Sequence, residues 1–478
     1  MFQREWMRMP PMDISDVAHD RFLANGQTET VLDANPGETV RLRIINAAAS
    51  SYFYLQYAGG VMQVIAADGL DVKPVSLNRF LMAIAETYDV LVKVPHKGAF
   101  EFRATAQDGF GFASAFIGSG KRVSAPPVPK PNLYNMHGGM TMAPETHPDT
   151  KAMQMETAKQ PTRPLPPYKK LRSIKPTTLP NGLPWHTITL NLTGDMERYV
   201  WSFNNKILTE ADLITIRRGQ NVRIIFENET MMHHPMHFHG HFFRVLNGQG
   251  DHAPLKHTVD VPPLSKQIIE FYGSEDKDWF LHCHILYHMK AGMARVVQYE
   301  GSNIDADVAA ARKESTNFLN RDHWYAWGEA SFLSQMTDGS VVLSNTRNIL
   351  SGVWEYGWEE EEYEIVLTYD YYFNRFLKAF GGLDITDEDS RGILGIRYLL
   401  PLNVESALWV DSEAELRIIL EKDFQLTDRL SAFGDVEYDT ESKWDWVLGL
   451  EWTLNKQFSL VGKYHSEFGL GGGVSIRF

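Results

Sequence analysis

The sequence predicts an all-β chain of three folded blocks, two sandwiches followed by an antiparallel β-barrel of the outer-membrane type. Three observations carry that prediction. Apolar runs broken by turn residues fill the first 120 positions and the stretch from 179 to 301, at the roughly 8–12-residue spacing of sandwich strands. Those two stretches repeat one another. Beyond residue 322 the rhythm changes to alternation over longer, aromatic-rich segments.

Composition sets the bounds. The 478 residues exceed the ~250–300 at which a single core stops growing. Hydrophobic residues at 44% and charged ones at 22% exclude a disordered chain. With 46 basic against 60 acidic side chains and a net charge of -14, nucleic acid is not an expected partner, because phosphates need a basic face. The single cysteine, Cys283, excludes a disulfide framework and any cysteine-only zinc site. No apolar run reaches the ~18 residues of a membrane helix, whereas barrel strands alternate and leave no such run. Met1-Phe-Gln-Arg-Glu-Trp6 lacks the apolar core of a signal peptide.

In the first block, 1–120, strands are expected at Val40–Ile45 after Asn35-Pro36-Gly37, at Val61–Ala66 before Asp68-Gly69, and at Tyr88–Val94 before His96-Lys97-Gly98. From 121 to 178 the composition shifts to Pro, Met, Lys and Thr, as in Ala125-Pro-Pro-Val-Pro-Lys-Pro131, and reads as a linker. Its Met136-His137-Gly-Gly-Met140-Thr-Met142 and Met153-Gln-Met155 offer thioethers that suit Cu(I). They read equally as incidental residues of a proline-rich tether. The second block spans 179–301, a charged connector 302–321, and the third block 322–478.

The repeat is explicit. Gly37-Glu-Thr-Val-Arg-Leu-Arg-Ile-Ile-Asn46 matches Gly219-Gln-Asn-Val-Arg-Ile-Ile-Phe-Glu-Asn228 at Gly, Val, Arg and Asn. Downstream, Ala85–Val92 aligns with Pro263–Glu270, and Phe100–Thr105 with Trp279–His284. The second copy therefore carries His282, Cys283 and His284 where the first has Arg103, Ala104 and Thr105.

Two motifs concentrate metal-ligating residues: His234-Pro-Met-His237-Phe-His239-Gly240-His241 and Trp279-Phe-Leu-His282-Cys283-His284-Ile-Leu-Tyr-His288-Met-Lys-Ala-Gly-Met293. Along a strand successive side chains face opposite ways, so Cys283 points to one side while His282 and His284 point to the other. A thiolate, two imidazoles and a weak axial Met form the ligand set of a blue-copper electron-transfer site. Cys283, His288 and Met293 supply three members and His234 the fourth. The pairs His237/His239 and His282/His284 are then placed to bind copper on the far side of the same strand. Zinc has no use for such a trigonal set beside four further histidines, and eight spaced ligands are too many for satisfied core histidines. His233, His241 and His257 lie nearby and are expected to support ligands or packing.

On these motifs the segment from Met1 to about Glu300 resembles the second and third cupredoxin domains of multicopper oxidases, in particular the periplasmic copper-resistance oxidases called CopA. The resemblance implies two cupredoxin-like Greek-key sandwiches, the first without copper ligands. It implies a type 1 copper at His234, Cys283, His288 and Met293, a type 2 ligand at His237, and type 3 ligands at His239, His282 and His284. It also implies oxidation of Cu(I) or a phenol-like donor, with electrons passing from Cys283 through His282 and His284 to reduce dioxygen. In that family half of the cluster's histidines come from an N-terminal domain with paired His-x-His motifs. No such pair precedes His234, and the first block holds only His19 and His96. The expectation is that a leader and a first cupredoxin domain are missing from this sequence or belong to a separate polypeptide.

The third block alternates. Trp444, Trp446, Leu448, Leu450, Trp452 and Leu454 flank Asp445, Gly449, Glu451 and Thr453. The same period runs through Tyr363–Phe373, Leu394–Leu400 and Leu416–Leu420. Segments of about ten residues with one apolar face and aromatic ends are the signature of lipid-facing barrel strands. Roughly ten to twelve are expected, an even number. A soluble barrel with its apolar face inward is the competing reading. The terminal Gly471-Gly-Gly-Val-Ser-Ile-Arg-Phe478 ends on an aromatic, like outer-membrane proteins. Arg391-Gly-Ile-Leu-Gly-Ile-Arg-Tyr-Leu-Leu-Pro401 resembles CopB, the outer-membrane partner in copper-resistance systems. Glu359–Glu362 reads as a solvated turn.

The sequence thus predicts a copper-binding oxidoreductase of a Gram-negative envelope. It faces the periplasm, contacts outer-membrane lipid, and takes Cu(I) or a phenol-like donor and dioxygen. The alternative from another class is a non-enzymatic outer-membrane copper-sequestration protein, and a third reading makes the barrel a copper channel.

Overall fold

A computed structural model describes residues 14–131, 163–302 and 322–478, except 18, 197, 198, 360 and 442, with a few positions between 303 and 321. The linker methionines Met136–Met155 lie outside the described residues. The described chain is all-β apart from short helical turns. It divides into two compact units, one holding both sandwiches and one holding the barrel.

The first sandwich contains strands β1–β10 between Glu29 and Val123, and the second β11–β21 between Trp185 and Tyr299. The expected strands appear at Thr39–Ile45 (β2), Met62–Ala67 (β4) and Thr87–Lys93 (β7). In β2 Val40, Leu42 and Ile44 turn inward between exposed Thr39, Arg41 and Arg43, the alternation of a strand with one wet face. The repeat extends to topology. Sheet β2-β7-β4-β5 (β5 Leu70–Leu77) of the first copy has its counterpart in β14-β19-β16-β17 of the second (Asn221–Asn228, Lys266–Tyr272, Phe243–Val245, Leu255–Lys256). Likewise β1-β9-β8-β3-β6 (Glu29–Leu32, Phe112–Ile117, Ala99–Ala106, Phe53–Tyr57, Arg79–Met82) corresponds to β13-β21-β20-β15-β18 (Ile214–Ile216, Ala294–Tyr299, Asp278–Cys283, His234–Phe238, Thr258–Val261). Each copy contains an equivalent parallel pair, β1 on β9 and β13 on β21. Gly37 and Gly219 take φ of +87° and +85° in the turns before their strands, where a side chain would be strained. Asn46 donates to the carbonyl of Ser51 and Asn228 to that of Met232, so the repeated Asn closes the same turn twice.

The two sandwiches share one continuous core, and polar groups are buried between them. Lys256 Nζ lies 3.0 Å from both Asp68 and Glu86, and all three side chains are fully buried. The end of the expected linker joins this contact: Tyr168 donates to Glu86 Oε1 at 2.6 Å and accepts from the Asp260 amide at 2.8 Å. Residues 163–178 are therefore packed chain, because the Tyr168 hydroxyl is worth more bonded inside than hydrated outside.

The second unit is a closed antiparallel barrel of twelve strands, β22 (Tyr325–Leu333) to β33 (Gly469–Arg477). Its apolar face points outward: Leu394, Trp444 and Leu448 are 67%, 68% and 59% exposed. That orientation rules out the inward-facing reading. Its polar residues face the lumen. Arg417 on β29 (Leu416–Gln425) pairs with Glu437 and Asp439 at 2.9 and 3.0 Å and with Asp384 at 3.3 Å. Lys463 on β32 (Phe458–His465) reaches Asp338 at 2.7 Å and Glu355 at 3.3 Å. Asp384 lies on β26 (Leu377–Thr386) and Asp338 on β23 (Met336–Ser344), strands away from their partners, so both cations bridge the lumen. The described residues of Glu359–Glu362 are exposed in the turn after β24 (Asn348–Gly357).

Candidate metal centre

The two motifs fall on neighbouring strands of one sheet, β15 (His234–Phe238) and β20 (Asp278–Cys283), paired antiparallel with Met236 opposite Cys283 and His237 opposite His282. Directly opposed residues share a face. His234, Met236 and Cys283 therefore lie on one side of the sheet, and His237 and His282 on the other.

On the first side, Cys283 Sγ lies 3.7 Å from His234 Nδ1 and 3.7 Å from His288 Nδ1, and the two nitrogens are 3.2 Å apart. A point equidistant from these three atoms lies about 2 Å from each, a metal-bond length. The short helix Leu286–Lys290 presents His288, and the turn behind it returns Met293, whose backbone bonds to both Cys283 and His288. All four residues are completely buried. Burial pushes the Cys283 thiol well up and the His234 and His288 imidazoles down. The imidazoles are thus neutral ligands, and a thiolate here calls for a cation beside it.

Both imidazoles are oriented from behind. His288 Nε2 sits 2.9 Å from Asp16 Oδ1 and His234 Nε2 2.8 Å from Thr230 Oγ1. Thr230 spends its own proton on Asn228 Oδ1 at 2.9 Å, so the hydroxyl accepts from His234. With each Nε2–H engaged, both Nδ1 lone pairs face Cys283, the outer support common around metal-bound histidine. Trp201 stacks on His288 at 3.9 Å and Tyr199 donates to Asp16 at 3.0 Å. Asp16, Thr230, Tyr199 and Trp201 are absent from the sequence prediction. Thr230 had a signal, four residues before His234 in the turn closed by Asn228. Asp16 had none.

On the opposite side, His237, His239, His282 and His284 form one cluster, with ring centroids 4.8 to 5.6 Å apart. His237 Nδ1 is 2.9 Å from the His257 carbonyl and His282 Nδ1 2.9 Å from that of Cys283. These bonds leave the Nε2 lone pairs facing the cluster, and His282 Nε2 lies 3.1 Å from His239 Nε2. Burial takes the pKa of His237 down to about 4 and of His282 to about 3, so adjacent imidazoles stay uncharged. His284 Nδ1 is buried with no hydrogen-bond partner among the described residues, an orphan that a bound cation's ligand shell would explain. The donor set fits copper on both faces.

The three neighbouring histidines take other roles. His241 bonds to the His239 carbonyl and to the Tyr299 hydroxyl and stacks on Phe238. His233 pairs with Asp260 at 2.8 Å, which also accepts from Tyr52 at 2.9 Å. His257 packs edge-on to His237. In the first sandwich β3 (Phe53–Tyr57) pairs with β8 (Ala99–Ala106) so that Leu55 opposes Ala104, the register of Met236 and Cys283 without ligands.

A sandwich with a buried Cys–His–His set on one face of a strand and four histidines on the other defines a copper protein of the cupredoxin class. Two family models described as multicopper oxidase match residues 3–121 and 184–302. The chain is 33% identical to a copper resistance protein A homolog of Pseudomonas syringae pv. tomato over 62% of its length and 61% of the relative's. It is 31% identical to copper resistance protein A of Escherichia coli, covering 62% of each. The chain thus spans about three fifths of these relatives. Among solved structures, Fet3p, a multicopper oxidase that functions in iron import, aligns with a TM-score of 0.46 at 16% identity, covering 61% of this chain and 63% of that one.

Proposed function

We propose that the chain is the copper-binding, electron-accepting part of an oxidase that oxidises Cu(I) or a phenol-like donor and reduces dioxygen, serving copper resistance at the outer membrane. The observation that carries this reading is the strand β20. Cys283 on one face is joined by a single peptide bond to each of His282 and His284, which address the other. Copper, when bound, supplies one-electron redox chemistry at both places. The residues do the rest. Asp16 and Thr230 hold the imidazoles of His288 and His234 in the ligating tautomer, and Trp201 keeps water from them. The peptide bridge links the donor side to the histidine side without side-chain motion. His237, His239, His282 and His284 are the type 2 and type 3 ligands in this reading. The remaining ligands of the cluster come from a separate His-x-His-bearing cupredoxin domain. The relatives' copper-resistance names support the role, and the outward apolar barrel supports a place in the outer membrane. The lumen bridges of Arg417 and Lys463 favour an anchor over a channel.

The test is copper content with visible and paramagnetic spectra on the purified full chain. A blue charge-transfer band is expected from this chain alone. Its absence would overturn the ligand assignment. A second reading, copper storage or relay without oxygen chemistry, is favoured by the ligand-free first sandwich. Oxygen uptake with Cu(I), measured with and without an added His-x-His domain, separates the two.

A further inference from the structure

Among the described residues, the outward face of the barrel is apolar or uncharged at every strand position but one. Reading outward residues from the cross-strand register, each of the twelve strands presents Leu, Ile, Val, Trp, Tyr, Phe, Ala, Gly, Ser, Thr or Asn. The exception among the described residues is Lys422 on β29, which shares its face with Leu420 and Phe424 and lies directly opposite Gly434. Its ammonium sits 4.8 Å from the centre of the Phe424 ring.

Lys422 lines a cavity of about 670 Å³ on that outer face, within the size range of ligand sites. One cross-strand row runs Lys422, Gly434, Leu448, Tyr464, Leu470, and the next runs Phe424, Ala432, Leu450, Gly462, Gly472. Small residues make the floor. A Cβ added at Gly462 would meet nothing within 4 Å, whereas one at Gly434 would meet Leu448 at 2.8 Å. Because the strands are sheared around the barrel, the row climbs. Lys422 lies three residues from the end of β29, on the rim where the chain enters and leaves, while Leu470 is the second residue of β33, at the far rim. The groove is thus oblique, apolar along its length, with one cation near one end.

We propose that this groove binds an anionic phospholipid of the bilayer, its acyl chain along Gly434, Gly462 and Leu470 and its negatively charged headgroup on Lys422. The position of the charge suits that ligand. Near a rim it sits at headgroup depth, where a positive side chain meets phosphate, and the apolar groove continues from it into the hydrocarbon. The inference rests on the membrane reading of the barrel.

The full chain is reconstituted in nanodiscs of equal phosphatidylcholine and phosphatidylglycerol, and retained lipid is identified by native mass spectrometry. Wild type is expected to keep phosphatidylglycerol in preference to phosphatidylcholine. Lys422→Gln should cut that preference by about fivefold, the worth of one surface lysine toward an anionic lipid. Gly462→Leu, whose Cβ has open space at this position, should obstruct the groove and lose retention of both lipids. Heat-dependent gel migration checks that each barrel is folded. Unchanged preference in Lys422→Gln, or no retained lipid in wild type, overturns the proposal. So does a dimer that Gly462→Leu abolishes without any lipid bound, which would make the groove a contact between copies. A chain that fails to enter nanodiscs refutes the membrane reading itself.

Discussion

Replacing Lys256 by Met tests the contact between the two sandwiches most directly. Burial works against the Lys256 charge, yet Asp68 and Glu86, each 3.0 Å away, outweigh it and hold its pKa above the ordinary lysine value. Two carboxylates share one cation, and burial accordingly raises the pKa of Glu86. Methionine keeps most of the volume and removes the charge, leaving two carboxylates facing each other without water. Breaking a buried pair in this way costs about 3–5 kcal/mol. At about 2–4 °C per kcal/mol for a unit of this size, the midpoint of the sandwich unit should fall by about 10 °C.

The pH dependence fixes the cause. Without the ammonium the Glu86 pKa rises further in the fold, and a group raised in the fold contributes stability that is present at low pH and lost as pH rises through the folded value. The deficit of Lys256→Met should therefore be smallest near pH 5 and grow toward neutrality. Calorimetry of the full chain at several pH values measures it. A deficit under about 0.5 kcal/mol, the range of ordinary surface substitutions, or one independent of pH, would refute the reasoning. Adding Glu86→Gln to the variant should recover part of the loss, since it removes the surplus carboxylate.

Three other outcomes are expected. Asp16→Asn, which weakens the support behind His288, should lower copper affinity at the Cys283 side by about 10–100-fold, read by chelator competition against the blue band. Cys283→Ser should abolish that band and leave the paramagnetic signal of copper on the histidine side. In planar bilayers the wild-type barrel should carry no steady current, and the double variant Arg417→Ala, Lys463→Ala should conduct, because the two bridges across the lumen are then gone.

Part of the candidate site was legible in the sequence because His234, His237, His282 and Cys283 lie in two short strands, where a period of two assigns each residue to a face. Cys283 against His282 and His284 needed nothing beyond that rule, and the register of β15 on β20 agrees with it. The barrel's outward face followed from the same period. What could not be read is what depends on contacts distant in sequence. Asp16 meets His288 across 272 positions, and Asp68 receives the amides of His257 and Thr258 from 189 and 190 positions away. No local pattern announces such meetings. The stretch around Tyr168 read as tether because prolines set the composition, while one hydroxyl buried between Glu86 and Asp260 decides the packing.

The two sandwiches are one frame put to two uses, and the structure shows how they depend on each other. In the first copy Leu55 and Ala104 occupy the register that Met236 and Cys283 occupy in the second, so that interior is plain core. Its polar residues work elsewhere. Asp68, from the turn after β4, accepts the backbone N–H groups of His257 and Thr258. The carbonyl of His257 and the hydroxyl of Thr258 in turn face His237 Nδ1 at 2.9 and 3.0 Å. A carboxylate of the ligand-free copy therefore fixes, at one remove, which nitrogen His237 offers to a metal. Leu286, at the start of the helix that carries His288, donates its amide to the Ala49 carbonyl, a second tie from the first copy to the Cys283 side. The copy without ligands thus has a reason to persist beside the one that has them: it holds both faces of the metal centre in place.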